Sequence, residues 1–364
     1  MSERRDVTTR PLVILGAGHM ARALLRLLLA REEHLRERYD LALPVAAVAS
    51  SRYLAAGSPY LGAEELAQIA RAGLESGEAA PPDRRAQQID YLTDLARSNP
   101  HRAIVMDLTA SDGMAPVLLA ALDAGFDVAL ANKKPLAEDY DTFARLTAHR
   151  HGRLAYEATV GAGLPIIHTL CALIDAGDEL VDMTACLSGT LGYLCTELED
   201  GRPLSQVVPE ARARGFTEPD PRDDLSGADV RRKALILART MNQQLELDDV
   251  PGAPMIPLEE GDVEEWLAGL ARHDVALAAH VRSAREQGDV LRYVARILPG
   301  KCEVGLREVP RLSAVGRLRG TDNILTVHTH FYGERPLVIS GPGAGPDVTA
   351  AGVFGDLLRL ACIA

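Results

Sequence analysis

Residues 217–233 read TEPDPRDDLSGADVRRK, which crowds Glu218, Asp220, Asp223 and Asp224 into a proline-broken loop and opens the following helix with a fifth carboxylate, Asp229. Pro219 and Pro221 forbid helix through the loop, Ser226 is a good N-cap, and 227–241 reads as one helix. At ~100° per residue, Val230, Ala234, Leu237 and Met241 form a core stripe, and Arg231, Arg232 and Arg239 occupy another side. Asp229, Lys233, Ile236 and Thr240 share a third. Lys233 therefore stands one turn after Asp229 and next to core, where an ammonium loses water and needs an anion. A cation so placed can give a proton to an oxygen that gains charge, and the nearby carboxylates can hold a cationic substrate group. A plainer reading competes: Ser226-x-x-Asp229 fits a capping box, and Asp/Lys pairs one turn apart are common on solvated helices. Spacing alone favours the structural reading, while the acidic loop feeding into the pair favours function.

The elements that must position these residues fall into two groups. Residues 11–15, PLVIL, form a short apolar strand, followed by Gly16-Ala17-Gly18-His19-Met20-Ala21 and a leucine-rich helix to about Arg31. In this G-x-G-x-x-A turn Gly16 permits the tight bend, Gly18 lets a pyrophosphate approach the backbone, and Ala21 allows close helix packing. The second strand, 45–49, ends in Ser50-Ser51-Arg52. An acidic residue there would accept from a ribose 2′-hydroxyl and favour NAD, whereas Ser51 and Arg52 can hold a 2′-phosphate. NADP is the expected cofactor, with NAD the alternative; the ordinary reading of Arg52 is an exposed loop cation. Residues 61–99 read as helices around a polar loop at 77–83. Residues 103–108 form a buried strand ending in Thr109-Ala110-Ser111, and 126–131 form the next, ending in Asn132-Lys133-Lys134. Strands alternating with helices imply a parallel sheet with its ligand beyond the carboxyl ends of the strands. On residue type alone Lys133 is solvated loop charge.

From Arg153 the pattern changes. Residues 153–157 read as a strand, 158–165 as a glycine-rich turn, and 166–175 as a helix with Pro165 in its first turn. Residues 179–187 alternate as a half-buried strand that ends in Ser188-Gly189-Thr190 before a helix through Tyr193, presenting backbone N–H groups and a hydroxyl to a cleft. Strands follow at 291–298, 303–309 and 324–331. His328 and His330 lack partners at ligand spacing and read as structural. The tail from Leu337 is a strand, a second glycine turn through Gly345 and a final helix to about Leu360. The expected fold is α/β: a doubly wound Rossmann-type nucleotide-binding domain over residues 1–150, completed by 335–364, and an inserted mixed α/β domain over 151–334. The inserted domain would serve substrate binding, catalysis and dimerisation, with the active site in the cleft between the two.

A 364-residue chain with 47% hydrophobic and 25% charged residues can hold a large core and two domains. Nothing in it suggests disorder beyond the first ten residues. A net charge of −12 disfavours nucleic acid or an anionic membrane as partner, leaves room for a local basic pocket around a phosphorylated cofactor, and points to a small-molecule partner. Five cysteines without C-x-x-C spacing indicate neither a disulfide framework nor a zinc site. Without a leader-like N-terminus or a run of about 18 apolar residues, the expected location is the cytoplasm.

The TEPDPRDDLSGADVRRK run resembles the signature of homoserine dehydrogenase and is especially similar to the dehydrogenase half of the bifunctional aspartokinase/homoserine dehydrogenases. The resemblance extends from Leu12 to about Leu360. It implies hydride transfer between NADP(H) and the aldehyde of L-aspartate 4-semialdehyde to give L-homoserine, in threonine, methionine and isoleucine biosynthesis, by a homodimer. It implies that Glu218, Asp224 and Asp229 line the substrate site, that Lys233 is the proton donor, and that Lys133 reaches both nicotinamide and substrate. It further places Gly189, Thr190 and Tyr193 around the substrate, Thr109, Ala110 and Gly345 along the cofactor, and a monovalent cation, Na or K, on the main-chain carbonyls of Glu157, Val160, Ala162 and Leu164. Ala185-Cys186-Leu187 and Gly192 depart mildly from the commoner family versions and leave the Gly-Thr step intact. With neither an aspartokinase half before it nor a regulatory domain after it, little inhibition by threonine is expected. The competing readings are another NAD(P)-dependent dehydrogenase of an amino acid or semialdehyde, and a catalytically silent dinucleotide-binding partner protein.

Overall fold

The computed structural model describes residues 7–79, 81, 84–99 and 101–362. Within the polar loop expected at 77–83, residues 80, 82 and 83 lie outside the described residues, as do 1–6 of the first ten. The chain divides into two compact units, Met1–Gly163 with Gly345–Ala364, and Leu164–Ala344. Among the described residues no helix is long and apolar enough to cross a membrane.

The first unit is built on a seven-stranded sheet, in the order Glu78–Ala79, Tyr53–Ala56, Val45–Ala49, Leu12–Leu15, Ile104–Asp107, Asp127–Leu130 and Leu154–Ala155. The last five are parallel, and the central ones are fully buried short apolar runs, as strands covered by helices on both faces must be. Neighbour order reverses at Leu12–Leu15, from which the chain steps first to Val45–Ala49 and then across to Ile104–Asp107, so the carboxyl ends of Leu12–Leu15 and Ile104–Asp107 form the switch point where such sheets bind ligands.

The edge departs from the all-parallel expectation, because Val45–Ala49 folds back antiparallel into Tyr53–Ala56, which in turn pairs with Glu78–Ala79. The cause is local. Ser50 N–H donates to the Tyr53 carbonyl at 2.7 Å, and Ser50 Oγ accepts from the N–H groups of Arg52 (3.1 Å) and Tyr53 (2.9 Å), closing a tight hairpin. The first helix runs from His19 to Tyr39 instead of ending near Arg31, because Leu35 continues the buried face begun by Leu24, Leu25 and Leu28. The strand expected at 153–157 shortens to Leu154–Ala155, and a 3-10 turn, Glu157–Thr159, follows. The terminal helix Pro346–Cys362 returns to this unit, burying Ala350, Val353, Leu357 and Leu360 in the same core as the glycine-turn helix.

The second unit is a five-stranded antiparallel sheet in the order Lys301–Pro310, Asp289–Leu298, Leu180–Cys186, Asp322–Thr329 and Leu337–Pro342. Its helix Ala228–Thr240 buries the expected stripe of Val230, Ala234 and Leu237, and also Leu235, Ile236 and Ala238, so its second half is enclosed nearly all round. Arg239 is buried with it, held by the Leu245 carbonyl (3.0 Å) and Glu246 (2.9 Å).

Candidate functional site

The acidic loop holds more structure than its prolines suggest. Pro221 takes the first position of a short helix, Pro221–Leu225, where a missing N–H costs nothing, and Asp220 caps that helix by accepting from the Arg222 N–H at 3.0 Å. Ser226 closes this helix and does not open the next, so the expected N-cap and the Ser226/Asp229 capping box are not formed. The next helix starts at Ala228, after Gly227. The φ of Gly227 is +71°, and a Cβ there would lie 1.8 Å from Tyr293 Oη, so both conformation and space require glycine.

This junction sets Asp224 on one helix beside Asp229 and Lys233 on the next. Lys233 Nζ lies 2.8 Å from Asp229 Oδ2 and donates to the Leu187 carbonyl at 2.8 Å. The Lys233 side chain is 13% exposed and that of Asp229 44%, so the ammonium is mostly shielded and its carboxylate partner less so. Leu187 follows the strand Leu180–Cys186 and precedes Ser188, whose Oγ caps the helix Gly189–Glu199 by accepting from the Leu191 N–H at 3.2 Å. Thr190 Oγ1 lies 3.0 Å from Asp224 Oδ1 and also contacts the Phe216 carbonyl, and Asp224 Oδ2 accepts from the Glu218 N–H at 2.8 Å. Asp224 thereby ties Thr190 to Glu218. Burial pushes the Asp224 carboxyl above the usual carboxylate range against the hydrogen bonds from Glu218 and Thr190, and the charges of Asp229 and Asp223 push the same way. A bound cation would relieve that excess of negative charge. Tyr193 sits differently: it is 6% exposed, its hydroxyl is taken by Glu210 at 3.3 Å, and its ring packs edge-on to Phe216. Gly189 lies close under Thr321, where a Cβ would come within 3.0 Å of the carbonyl oxygen.

In the first unit Gly16 turns with φ +108°, and a Cβ there would lie 2.9 Å from the Leu108 carbonyl group. Gly18 is the N-cap of the helix His19–Tyr39, with no side chain capping that end and nothing within 4 Å of where its Cβ would stand. An uncapped helix start beside an open glycine is an arrangement that can receive phosphate oxygens. A cavity of about 570 Å³ has Gly16, Gly18, Ser51, Thr109 and Ala110 in its wall. Ala17 and Met20 pack on the core, His19 is exposed, and Arg52, exposed at the hairpin tip, is not in the wall. Gly345, with φ +116°, precedes the terminal helix, and its carbonyl accepts from the Thr349 N–H at 3.0 Å.

Asp107, fully buried, was not singled out by its sequence. It accepts from the Thr109 N–H (2.9 Å), the Thr109 hydroxyl (2.7 Å) and Asn132 Nδ2 (3.0 Å), while the same Asn132 amide donates to the Ser111 carbonyl at 2.8 Å. The network stitches the loop after Ile104–Asp107 to the loop carrying half-buried Lys133. Burial pushes the Asp107 carboxyl up, against the bonds from Thr109 and Asn132. The signal available was an aspartate closing an otherwise apolar strand, two residues before a threonine.

Two of the carbonyls expected to hold a cation, those of Val160 and Ala162, belong to a strained loop of the first unit. Gly161 (φ +79°) and Ala162 (φ +56°) are consecutive left-handed residues, unusual for alanine. Glu157 opens the 3-10 turn before it, and its buried carboxylate meets Arg359 of the terminal helix at 3.2 Å. Its N–H donates to Asp356 Oδ2 at 2.9 Å. Leu164, the fourth, starts the second unit, where its carbonyl accepts from the Ile166 N–H at 2.8 Å.

A parallel sheet with a switch point, and a strand–glycine turn–helix at that point, define a Rossmann-type dinucleotide-binding protein. The chain belongs to the homoserine dehydrogenase family: the family model for homoserine dehydrogenase matches residues 165–358, and that for the homoserine dehydrogenase NAD binding domain matches residues 16–156. It is 36% identical to bifunctional aspartokinase/homoserine dehydrogenase 2 of Arabidopsis thaliana over 97% of this chain and 39% of that protein. It is 35% identical to bifunctional aspartokinase/homoserine dehydrogenase 2 of Escherichia coli, over 96% of this chain and 43% of the relative. The chain thus spans about two fifths of the length of these relatives. Among solved structures, a Candida auris protein of unknown function superposes with a TM-score of 0.86 at 29% identity, covering 97% of this chain and 98% of the other. A hyperthermophilic archaeal homoserine dehydrogenase in complex with NADPH shares the fold, with a TM-score of 0.70 at 22% identity over 97% and 98%.

Proposed function

We propose that the chain catalyses the NADP-dependent interconversion of L-aspartate 4-semialdehyde and L-homoserine, the activity named in its family, as a step in threonine, methionine and isoleucine biosynthesis. The observation that carries this reading is Lys233, a shielded ammonium fixed by Asp229 and the Leu187 carbonyl beside an acidic cluster. The glycine turn, Thr109 and Ala110 would hold reduced nicotinamide dinucleotide, which would supply the hydride for the aldehyde carbon. The aldehyde oxygen then needs a proton, which Lys233 Nζ gives it; solvent restores the ammonium, and Asp229 keeps the group oriented throughout. Lys133 adds positive charge near the reacting oxygen. Glu218, Asp224 and Asp229 offset the substrate ammonium, with Thr190 holding Asp224 in place. The carbonyls of Glu157, Val160, Ala162 and Leu164 suit a sodium or potassium ion, since a hard cation takes oxygen ligands. A cytoplasmic homodimer is the expected form. Its second unit offers the open edge strand Leu337–Pro342, with Val338 42% exposed, as a surface to cover.

The test is to supply purified protein with L-homoserine and NADP⁺ and follow the absorbance of reduced nicotinamide. Reduction that depends on both compounds and falls at least ~100-fold in Lys233→Ala is expected. Reduction driven by a different amino acid or alcohol, with homoserine inert, would refute the assignment.

A further inference from the structure

A Rossmann protein that reads NAD places a carboxylate at the end of its second parallel strand, to accept from the ribose 2′-hydroxyl. Here Val45–Ala49 is followed by Ser50, whose Oγ already accepts two backbone N–H groups of the hairpin turn, and Arg52 is exposed and outside the cavity wall. The wall is completed from a distant element. Arg84, Arg85 and Gln88, in the first turns of the helix Arg84–Ser98, line the same cavity as Gly16, Gly18 and Ser51. Among the described residues no Asp or Glu lines it, in a chain with 51 acidic residues against 39 lysines and arginines.

The two arginines are prepared differently. Arg85 donates to the Asp112 carbonyl at 2.8 Å and lies flat on Gly113, where a Cβ would come within 2.9 Å of its guanidinium. It is fixed before any ligand arrives and loses little freedom on binding. Arg84 makes no hydrogen bond or ion pair among the described residues, which leaves its donors open to a ligand. Gln88 Oε1 is buried without a hydrogen-bond partner among the described residues, an acceptor suited to a ribose hydroxyl.

We propose that Arg84 and Arg85, with the Ser51 hydroxyl, seat the 2′-phosphate of NADP and set the preference for NADP over NAD, and that Arg52 does not. The inference rests on the cofactor reading under Proposed function and names the residues that read the cofactor. A phosphate monoester carries close to two charges at neutral pH, and planar guanidinium forks match its oxygens better than an ammonium does.

The experiment measures binding of 2′,5′-ADP and 5′-ADP to the full chain by calorimetry, beside kcat/KM with NADP⁺ and NAD⁺. It compares the wild type with Arg84→Ala, Arg85→Lys, Arg84→Ala/Arg85→Ala and Arg52→Ala. In the double variant 2′,5′-ADP should weaken roughly 10- to 100-fold while 5′-ADP changes less than about 2-fold, because only the former carries the recognised group. Arg85→Lys, which keeps the charge and loses the fork, should also weaken 2′,5′-ADP, and Arg52→Ala should match wild type. Equal losses for the two fragments, or a loss confined to Arg52→Ala, would overturn the assignment. Failure of the wild type to bind either fragment would overturn both this inference and the cofactor reading. Selective 2′,5′-ADP binding without homoserine-dependent reduction would support the arginines and sink only the proposed activity.

Discussion

Acidifying the protein from pH 8 to pH 6 should stabilise its first unit through one carboxyl, Asp356. This side chain accepts from the Glu157 N–H at 2.9 Å and meets Arg359 at 3.1 Å, yet the residue is 1% exposed and Glu157 shares the same arginine. One guanidinium faces two enclosed carboxylates. Burial, only partly offset by Arg359 and the Glu157 N–H, pushes the Asp356 carboxyl from 3.8 up to about 7. A carboxyl raised in this way stabilises the fold while protonated. The contribution is fully present below the unfolded value of about 3.8 and is lost as pH rises through about 7. At about 1.4 kcal/mol per unit the whole effect is about 4 kcal/mol. Between pH 8 and pH 6 the protonated fraction rises from about a tenth to about nine tenths, which is worth about 1.4 kcal/mol, or roughly 3–6 °C in melting temperature for a unit of this size. Asp356→Asn cannot ionise, and its carboxamide oxygen can still accept from Glu157. The variant should therefore melt higher than wild type at pH 8 and lack this share of the pH response. Melting curves of both proteins at pH 6, 7 and 8 decide the matter: parallel pH dependences would refute the reasoning.

Lys233→Ala should keep its fold and its affinity for NADP(H) while kcat falls by roughly two to four orders of magnitude, the scale of losing a general acid. Unchanged kcat would sink the proposed mechanism. Asp229→Asn separates function from helix support, since the helix is capped by Gly227 and not by a box with Ser226; a large fall in kcat with a near-normal melting temperature is expected, and the reverse pattern would make Asp229 structural. For Asp224, whose carboxyl is raised by burial, KM for homoserine should begin to climb on acidification above the ordinary carboxylate range. Asp224→Asn should raise KM at neutral pH and flatten that climb, so a retained climb would point to another group. Gly227→Ala would force a Cβ onto Tyr293 Oη and lower stability, and adding Tyr293→Phe should recover part of the loss, measured as a double-mutant coupling of roughly 0.5–3 kcal/mol. Additive losses would show that the clash is not what fixes the glycine.

What the sequence made legible was what short-range patterns determine. Apolar runs with a G-x-G-x-x-A turn located the parallel sheet and its nucleotide end, and helical period alone placed Lys233 with Asp229 and next to core, where its side chain is 13% exposed. The failures occur where a distant residue decides. Ser226-x-x-Asp229 has every local mark of a capping box, but Gly227 is held left-handed beside Tyr293, 66 positions away, and the helix starts one residue later than the box requires. The hairpin after Ala49 is a local exception, since nothing in Ser51-Arg52 announces the antiparallel pairing of Tyr53–Ala56. Asp107, Arg85 and Asp356 gain their settings from Asn132, Asp112 and Glu157, none of them a near neighbour in sequence. The same division holds inside the candidate site. The Asp229 contact to Lys233 follows from one helical turn and would survive in an isolated helix, whereas the Leu187 carbonyl reaches it only because a strand end packs beneath. A lysine with the first contact alone is an ordinary surface pair. The second contact withdraws it from water and fixes the direction of its proton, and it is this long-range step, invisible to spacing, that turns the pair into a candidate acid.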